Sequence, residues 1–399
     1  MARRLGVWLI GAKGGVATTV IVGIIALKKG LTRQQGLVSQ LACFAHLDLV
    51  EWDDFVFGGH DIRACSLVHE AKKLHTDSRV IDEHVMSQCL AELTEIDANI
   101  RPGILLNVGK TIEGLADPEL RNSKETQMAA ILRAQQDIKS FANQNDLQQV
   151  VVVNVASTEP TLDTQSWPTT WDELKSLLDG SGQIQVPSSS LYAIAALDAG
   201  YPYINFTPSV GSAPAAIDDL ARQRKTCHMG HDGKTGETLL KSALAPMFAH
   251  RNLEIMSWVG HNIFGNMDGK VLDDPENKKT KVKSKDRLLR EILGYDPQTH
   301  ISIEYIESLG DWKTAWDHIH FRGFLGTPMV MQFTWQGCDS LLAAPLVIDL
   351  IRFTECAQRQ GEIGLLTFLA SFFKSPLGIK ENNFERQFQM LQAWADSIQ

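Results

Sequence analysis

What this chain has little of narrows it first. Its 399 residues include six cysteines, Cys43, Cys65, Cys89, Cys227, Cys338 and Cys356, all widely scattered. None forms a CxxC pair or a Cys/His cluster with metal-ligand spacing, which argues against a disulfide scaffold and a structural zinc site. The scatter implies a reducing cytoplasm. No stretch approaches about 18 uninterrupted apolar residues, the length a spanning helix needs. Excess positive charge is also missing: a net charge of −9 argues against nucleic acid or an anionic membrane as the main partner. There is no internal repeat and no long low-complexity segment.

What remains is ordinary globular composition, 44% hydrophobic and 21% charged, in a chain long enough for two domains or one with an insertion. The apolar run Leu5–Ile10 has the look of a secretory signal, but Lys13 breaks it before any plausible cleavage site. A parallel strand buried on both faces explains it better. Gly11, Gly14 and Gly15 then make a turn, and Thr18–Leu27 continues as an apolar helix ended by Gly30. Phe55–Phe57, Ile104–Val108 and Val150–Val155 are further buried-strand candidates with helical text between them. That alternation predicts an α/β fold, a Rossmann-like doubly wound parallel sheet. The middle reads differently. Leu253–Val259, His300–Tyr305 and Val330–Trp335 look like strands, the last two with period-two alternation, before apolar helices over Ser340–Arg359 and Ile363–Phe373. The expected organisation is a nucleotide-binding domain over residues 1–232, an inserted α+β catalytic and oligomerisation domain over 233–339, and C-terminal helices over 340–399 completing the first.

Gly11-Ala-Lys-Gly14-Gly15 sits where a backbone must approach a pyrophosphate closely, with helix N–H groups and the helix dipole facing the anion. Thr18 and Thr19 offer hydroxyl donors. The spacing departs from GxGxxG, and a tight turn without ligand reads the same way from these residues alone. Asp61 follows the second strand candidate, where it either accepts ribose hydroxyls or serves as a turn residue.

The lysines are distributed unevenly. Lys278, Lys279, Lys281, Lys283 and Lys285 crowd into one short run. Such a run is ordinarily a solvated face, yet Lys281 and Lys285, four apart, share one side if helical, and paired ammonium groups lower each other's pKa toward a range useful for base catalysis. Lys313 follows Gly310-Asp-Trp. Lys374 is flanked by apolar text, where a lysine either snorkels to the surface or is held desolvated. Ahead of them, Thr235 and Thr238 stand where a helix begins, placed either to cap it or to hold a phosphate.

In order, Gly233-Lys-Thr-Gly-Glu-Thr238, Asn262–Gly269, Asn277–Lys285, Asp339-Ser-Leu-Leu-Ala-Ala-Pro345 and Phe373-Lys-Ser-Pro376 resemble the myo-inositol-1-phosphate synthase family, in its shorter archaeal and bacterial form. Phe57–Ile62 and Ala156-Ser-Thr-Glu159 add to the resemblance. It implies a tightly held NAD that is reduced and reoxidised while glucose 6-phosphate is oxidised at carbon 5, enolised, closed by an aldol step and re-reduced to an inositol phosphate. By motif position it implies Lys281, Lys285, Lys313 and Lys374 as catalytic lysines, with Asp232, Asp268 and Asp339 as acidic partners. Gly11, Gly14, Gly15, Val16, Ala17, Thr18, Asp61, Ala156, Ser157 and Thr158 would hold NAD. Thr235, Gly236, Glu237, Thr238, Asn262, Asn266 and Lys285 would hold the substrate phosphate. A homotetramer is implied as well. A monovalent or divalent cation is left open, since no metal ligands can be named.

Two departures stand out. His231 replaces the first of two acids the family commonly carries, and His261 stands where it often has tyrosine. Two rival readings follow: an enzyme of the same fold selecting another sugar phosphate through positions such as His231, His261 and Trp312, or a non-catalytic NAD-binding regulator.

Overall fold

β1 (Leu5–Ile10) is buried at every position. Its side chains alternate between two cores: Val7 and Leu9 join one with helices Gly15–Lys28 and Asp339–Arg359, while Trp8 and Ile10 join another with helices Gln127–Gln144 and Ser188–Asp198. A strand covered on both faces needs no polar alternation, which is why its sequence is uniformly apolar. The computed structural model describes residues 3–160, 162–180, 184–266, 269 and 288–398. Lys281, Lys285 and Asp268, with the rest of the lysine run, lie outside the described residues.

Around β1 the first sheet is parallel throughout. It contains β2 (Phe55–Asp61), β3 (Ile100–Pro102), β4 (Gln149–Asn154), β5 (Tyr203–Asn205), β6 (Cys227–Gly230) and β11 (Gly364–Leu365). The order is β11-β6-β5-β4-β1-β2-β3, so chain direction across the sheet reverses between β1 and β4. In such sheets the carboxyl ends of the strands at the reversal form the binding crevice.

After β6 and the helix Gly236–His250 the chain builds a second sheet from β7 (Glu254–Phe264), β8 (Gln298–Tyr305), β9 (Trp312–Arg322) and β10 (Pro328–Cys338), ordered β10-β9-β7-β8. β7 and β8 are parallel, the other pairs antiparallel. One face packs Trp258 and Ile319 against Ala245 and Phe248 of the helix, while the other leaves Trp316 half-exposed. The chain then returns through Asp339–Arg359 to add β11 beside β6.

Two expected elements are different in the structure. Ile104–Val108 is loop: the sheet edge is Ile100–Pro102, and Asn107 and Gly109 take positive φ. Ile104 is buried, its N–H donating to the Tyr192 hydroxyl at 2.6 Å. Ile363–Phe373 is not one helix. Gly364, at φ 80°, pairs with Cys227, and a short 3-10 helix follows over Thr367–Phe372. Among the described residues no helix is long and apolar enough to cross a membrane.

Candidate functional site

A cavity of about 750 Å³ opens at the carboxyl ends of β1, β2 and β4, reaching from the glycine turn to the second sheet. The turn begins at Gly11, whose N–H donates to the His60 carbonyl at 2.9 Å with φ 80°. A Cβ there would stand 2.7 Å from the Ala156 Cα, so only glycine lets the ends of β1 and β4 come this close. Gly14 caps the next helix with no side-chain hydrogen bond, and the first turn carries no acid. That bare N-terminus faces the cavity through Gly14, Gly15 and Val16, an arrangement suited to a dinucleotide pyrophosphate. Ala17 and Thr18 lie behind the wall, fully buried. Opposite, Ala156, Ser157 and Thr158 line the cavity, with the Ala156 N–H donating to Asn154 Oδ1 at 3.2 Å. Asp61 closes β2 and accepts from the Lys13 N–H at 2.7 Å and the Arg63 N–H at 2.9 Å.

Lys374 reaches the cavity on a strap. The segment after Thr367–Phe372 runs beside 230–234: the Lys234 N–H donates to the Phe372 carbonyl, the Lys374 N–H to the Asp232 carbonyl, and the Leu377 N–H to the Gly230 carbonyl. Lys374 Nζ then donates to Asp232 Oδ1 at 2.8 Å. Asp232 takes a positive φ of 62°, and the following Gly233 is packed so that a Cβ would strike the Phe206 ring at 2.1 Å. Lys374 therefore sits at a bend in a non-helical strap and not, as its apolar flanks suggest, on a helix.

Lys313 comes from β9. Its Nζ lies 4.0 Å from Asp339 Oδ1 and 5.0 Å from the centre of the Phe264 ring. Asn266 bridges the local acids, its Nδ2 donating to Asp311 Oδ1 at 3.2 Å and Asp339 Oδ2 at 3.4 Å. Asp311 is a site residue that sequence reasoning misses. It takes the Ser340 N–H at 2.9 Å and the Cys338 thiol at 2.6 Å, and burial raises its carboxyl above the usual range. Its only textual sign is its place two residues before Lys313.

The expected phosphate group divides. Thr235 and Asn266 line the cavity, whereas Gly236, Glu237, Thr238 and Asn262 stand outside its wall. Glu237 is fully buried, paired with Lys241 at 2.6 Å one helical turn on, and Asn262 Nδ2 donates to it at 2.6 Å. A buried carboxylate takes the nearest cation and donors because an unpaired charge there is costly. His231, His261 and Trp312 do not line the cavity either. His261 stacks on Trp316 at 5.7 Å, and the Trp312 indole N–H donates to the Ser78 carbonyl at 2.6 Å. Among the described residues no group of three or more His, Cys, Asp and Glu side chains is placed to hold a metal ion.

Comparison with known proteins gives a consistent result. The family model described as myo-inositol-1-phosphate synthase matches residues 5–395. Inositol-3-phosphate synthase 1 of Bacteroides thetaiotaomicron is 32% identical, over 96% of this chain and 91% of its own. The Dictyostelium discoideum inositol-3-phosphate synthase is 29% identical, over 89% of this chain and 75% of its own. Among solved structures, inositol-3-phosphate synthase from Caenorhabditis elegans superposes with a TM-score of 0.88 at 23% identity, covering 99% of this chain and 86% of that one. A myo-inositol-1-phosphate synthase-related protein from Thermotoga maritima gives 0.81 at 23% identity, covering 99% of both. At that identity the two superpositions speak for the fold.

Proposed function

This chain belongs to the myo-inositol-1-phosphate synthase family and is an enzyme of that type, and we propose that it converts glucose 6-phosphate into an inositol monophosphate without net redox change. The observation that carries this reading is the convergence of Lys313 and Lys374, from the second sheet and the C-terminal strap, on the cavity that also holds the bare glycine turn. NAD would be held by Gly11, Gly14, Gly15 and Val16, by Asp61 as acceptor for a ribose hydroxyl and by Ala156–Thr158, and when bound would supply reversible hydride acceptance.

The residues of the chain do the rest. Oxidation at carbon 5 releases a hydroxyl proton, and enolisation and ring closure each develop negative charge on oxygen. Ammonium groups held in place before the reaction stabilise that charge without reorganising. Lys313, steered by Asp339 and Asn266, handles the proton and charge at the oxidised carbon, together with Lys281. Lys374, anchored on Asp232, serves the open-chain aldehyde end. Thr235 and Asn266 would contact the phosphate, joined by Lys285. Asp268 would complete the acidic partners. Residues 233–339 would act as the catalytic and tetramer-forming part between the cofactor-holding parts 1–232 and 340–399, in a cytoplasmic homotetramer.

The deciding assay incubates purified protein with glucose 6-phosphate and catalytic NAD, with no reductant, and reads product by NMR. An inositol phosphate should accumulate. No such product, with turnover of a different hexose phosphate, would transfer the reading to another sugar phosphate on the same fold.

A further inference from the structure

At the far end of the cavity from Lys374, an arginine and two carboxylates crowd the place where β2 ends. Arg63 lies two residues after Asp61 and lines the cavity with Glu70, Lys73 and Asp77 of the helix Leu67–Ser78. All three guanidinium nitrogens of Arg63 are engaged: Nε with Asp61 Oδ1 at 3.4 Å, Nη1 with Glu70 Oε1 at 3.3 Å, and Nη2 with the Lys13 carbonyl in the glycine turn. Asp61 is fixed from its other side by the Lys13 N–H at 2.7 Å. Lys73 is paired with Asp77. The formal charges of these five side chains leave one negative charge over.

We infer that selection between NAD and NADP is set by the Asp61–Arg63–Glu70 cluster, in which the two carboxylates hold the Arg63 guanidinium closed to a 2′-phosphate. The inference rests on the NAD-binding reading above and concerns what that site refuses. A ribose carrying a free 2′-hydroxyl donates to a carboxylate at the end of the second strand, whereas a 2′-phosphate there needs an arginine. Here the carboxylate and the arginine stand side by side, and the carboxylates own the arginine. A 2′-phosphate dianion would meet Asp61 and Glu70 and find no free donor fork. Removing the Asp61 charge takes away the repulsion and releases Nε, and a guanidinium with an open edge binds phosphate through paired charge-assisted hydrogen bonds.

Fluorescence titration of the full chain with NADH and with NADPH tests this without relying on turnover. Wild type should bind NADH far more tightly than NADPH. Asp61→Ser should tighten NADPH binding by about 10- to 100-fold, the worth of one or two charge-assisted hydrogen bonds, while weakening NADH. Asp61→Asn, which keeps the shape and one acceptor oxygen, should shift the same way. Adding Arg63→Ala to either should erase the gain in NADPH and leave NADH as in the single variant. NADPH binding that stays at the wild-type level in both single variants, a gain that survives loss of Arg63, or loss of both nucleotides from both variants would overturn the inference. If wild type binds neither nucleotide, the NAD-binding reading itself falls, an outcome separate from all of these.

Discussion

Lys374 and Asp232 form the contact most open to a single substitution. The strap fixes the lysine's backbone on the Asp232 carbonyl and its Nζ on the Asp232 carboxylate, so Lys374→Ala deletes the ammonium while leaving the glycine turn untouched. The expected result is loss of cyclisation by at least about 100-fold, the low end for a positioned proton-transfer group, with NAD still bound. Turnover near wild type would end the lysine assignment. Residues of this kind are legible because charge stands out against apolar text. Others are not. Glu237 looks like a phosphate-loop residue until Lys241, one turn on, proves to be its partner, and that pairing depends on which way the helix is rotated into the core. Arg63 and Asp311 are silent for the same reason, since each takes its meaning from groups brought to it by folding.

Elements are legible where burial is uniform and illegible where a polar side chain faces inward. β1 and β4 run nearly unbroken in Val, Leu and Ile because both faces are covered. β9 escapes notice because its inward positions are Ala315, Asp317 and Ile319, so the period-two pattern is interrupted by a charge. Asp317 is fully buried and accepts the Trp258 indole N–H at 2.6 Å from β7. β5 and β6 are too short to carry a pattern, and Ile363–Phe373 misleads because its apolar spacing suits a helix while Gly364 turns it into the sheet edge. For β9 the consequence can be measured. Asp317→Ala strips the acceptor from a buried indole, a loss of about 1–3 kcal/mol for the orphaned donor. The denaturant midpoint should fall with the slope unchanged. A variant as stable as wild type would mean that Trp258 does not need this carboxylate.

Across the whole molecule, the change from continuous apolar runs to alternation signals two sheets, but the order of strands and the strap that reunites them do not follow from any local pattern. Those long-range joins bury ionisable groups, and two of them give stability a pH signature. Burial raises the Glu159 carboxyl from 4.5 to about 7, against hydrogen bonds from the N–H and hydroxyl of Ser189. Burial lowers the Lys234 ammonium from 10.5 to about 7, where it lies between Gln387 and the Phe384 ring of the C-terminal helix. As pH rises from 4.5 through 7, the folded state keeps the Glu159 proton that the unfolded chain gives up, so this group's contribution to stability falls. From 7 to 10.5 the unfolded chain keeps the Lys234 proton that the folded state has lost, so that contribution rises. Both groups are therefore at their most unfavourable near neutrality, each by a few kcal/mol, since every tenfold change in proton affinity is worth about 1.4 kcal/mol. Glu159→Gln should gain on wild type above pH about 7 and lose that advantage toward pH 4.5. Lys234→Met should gain below about 7 and converge on wild type toward pH 10.5. Denaturant midpoints at about pH 5, 7 and 9 separate the two slopes from any constant cost of the substitutions themselves. Variant and wild-type curves running parallel across that range would mean that neither side chain changes its protonation on folding.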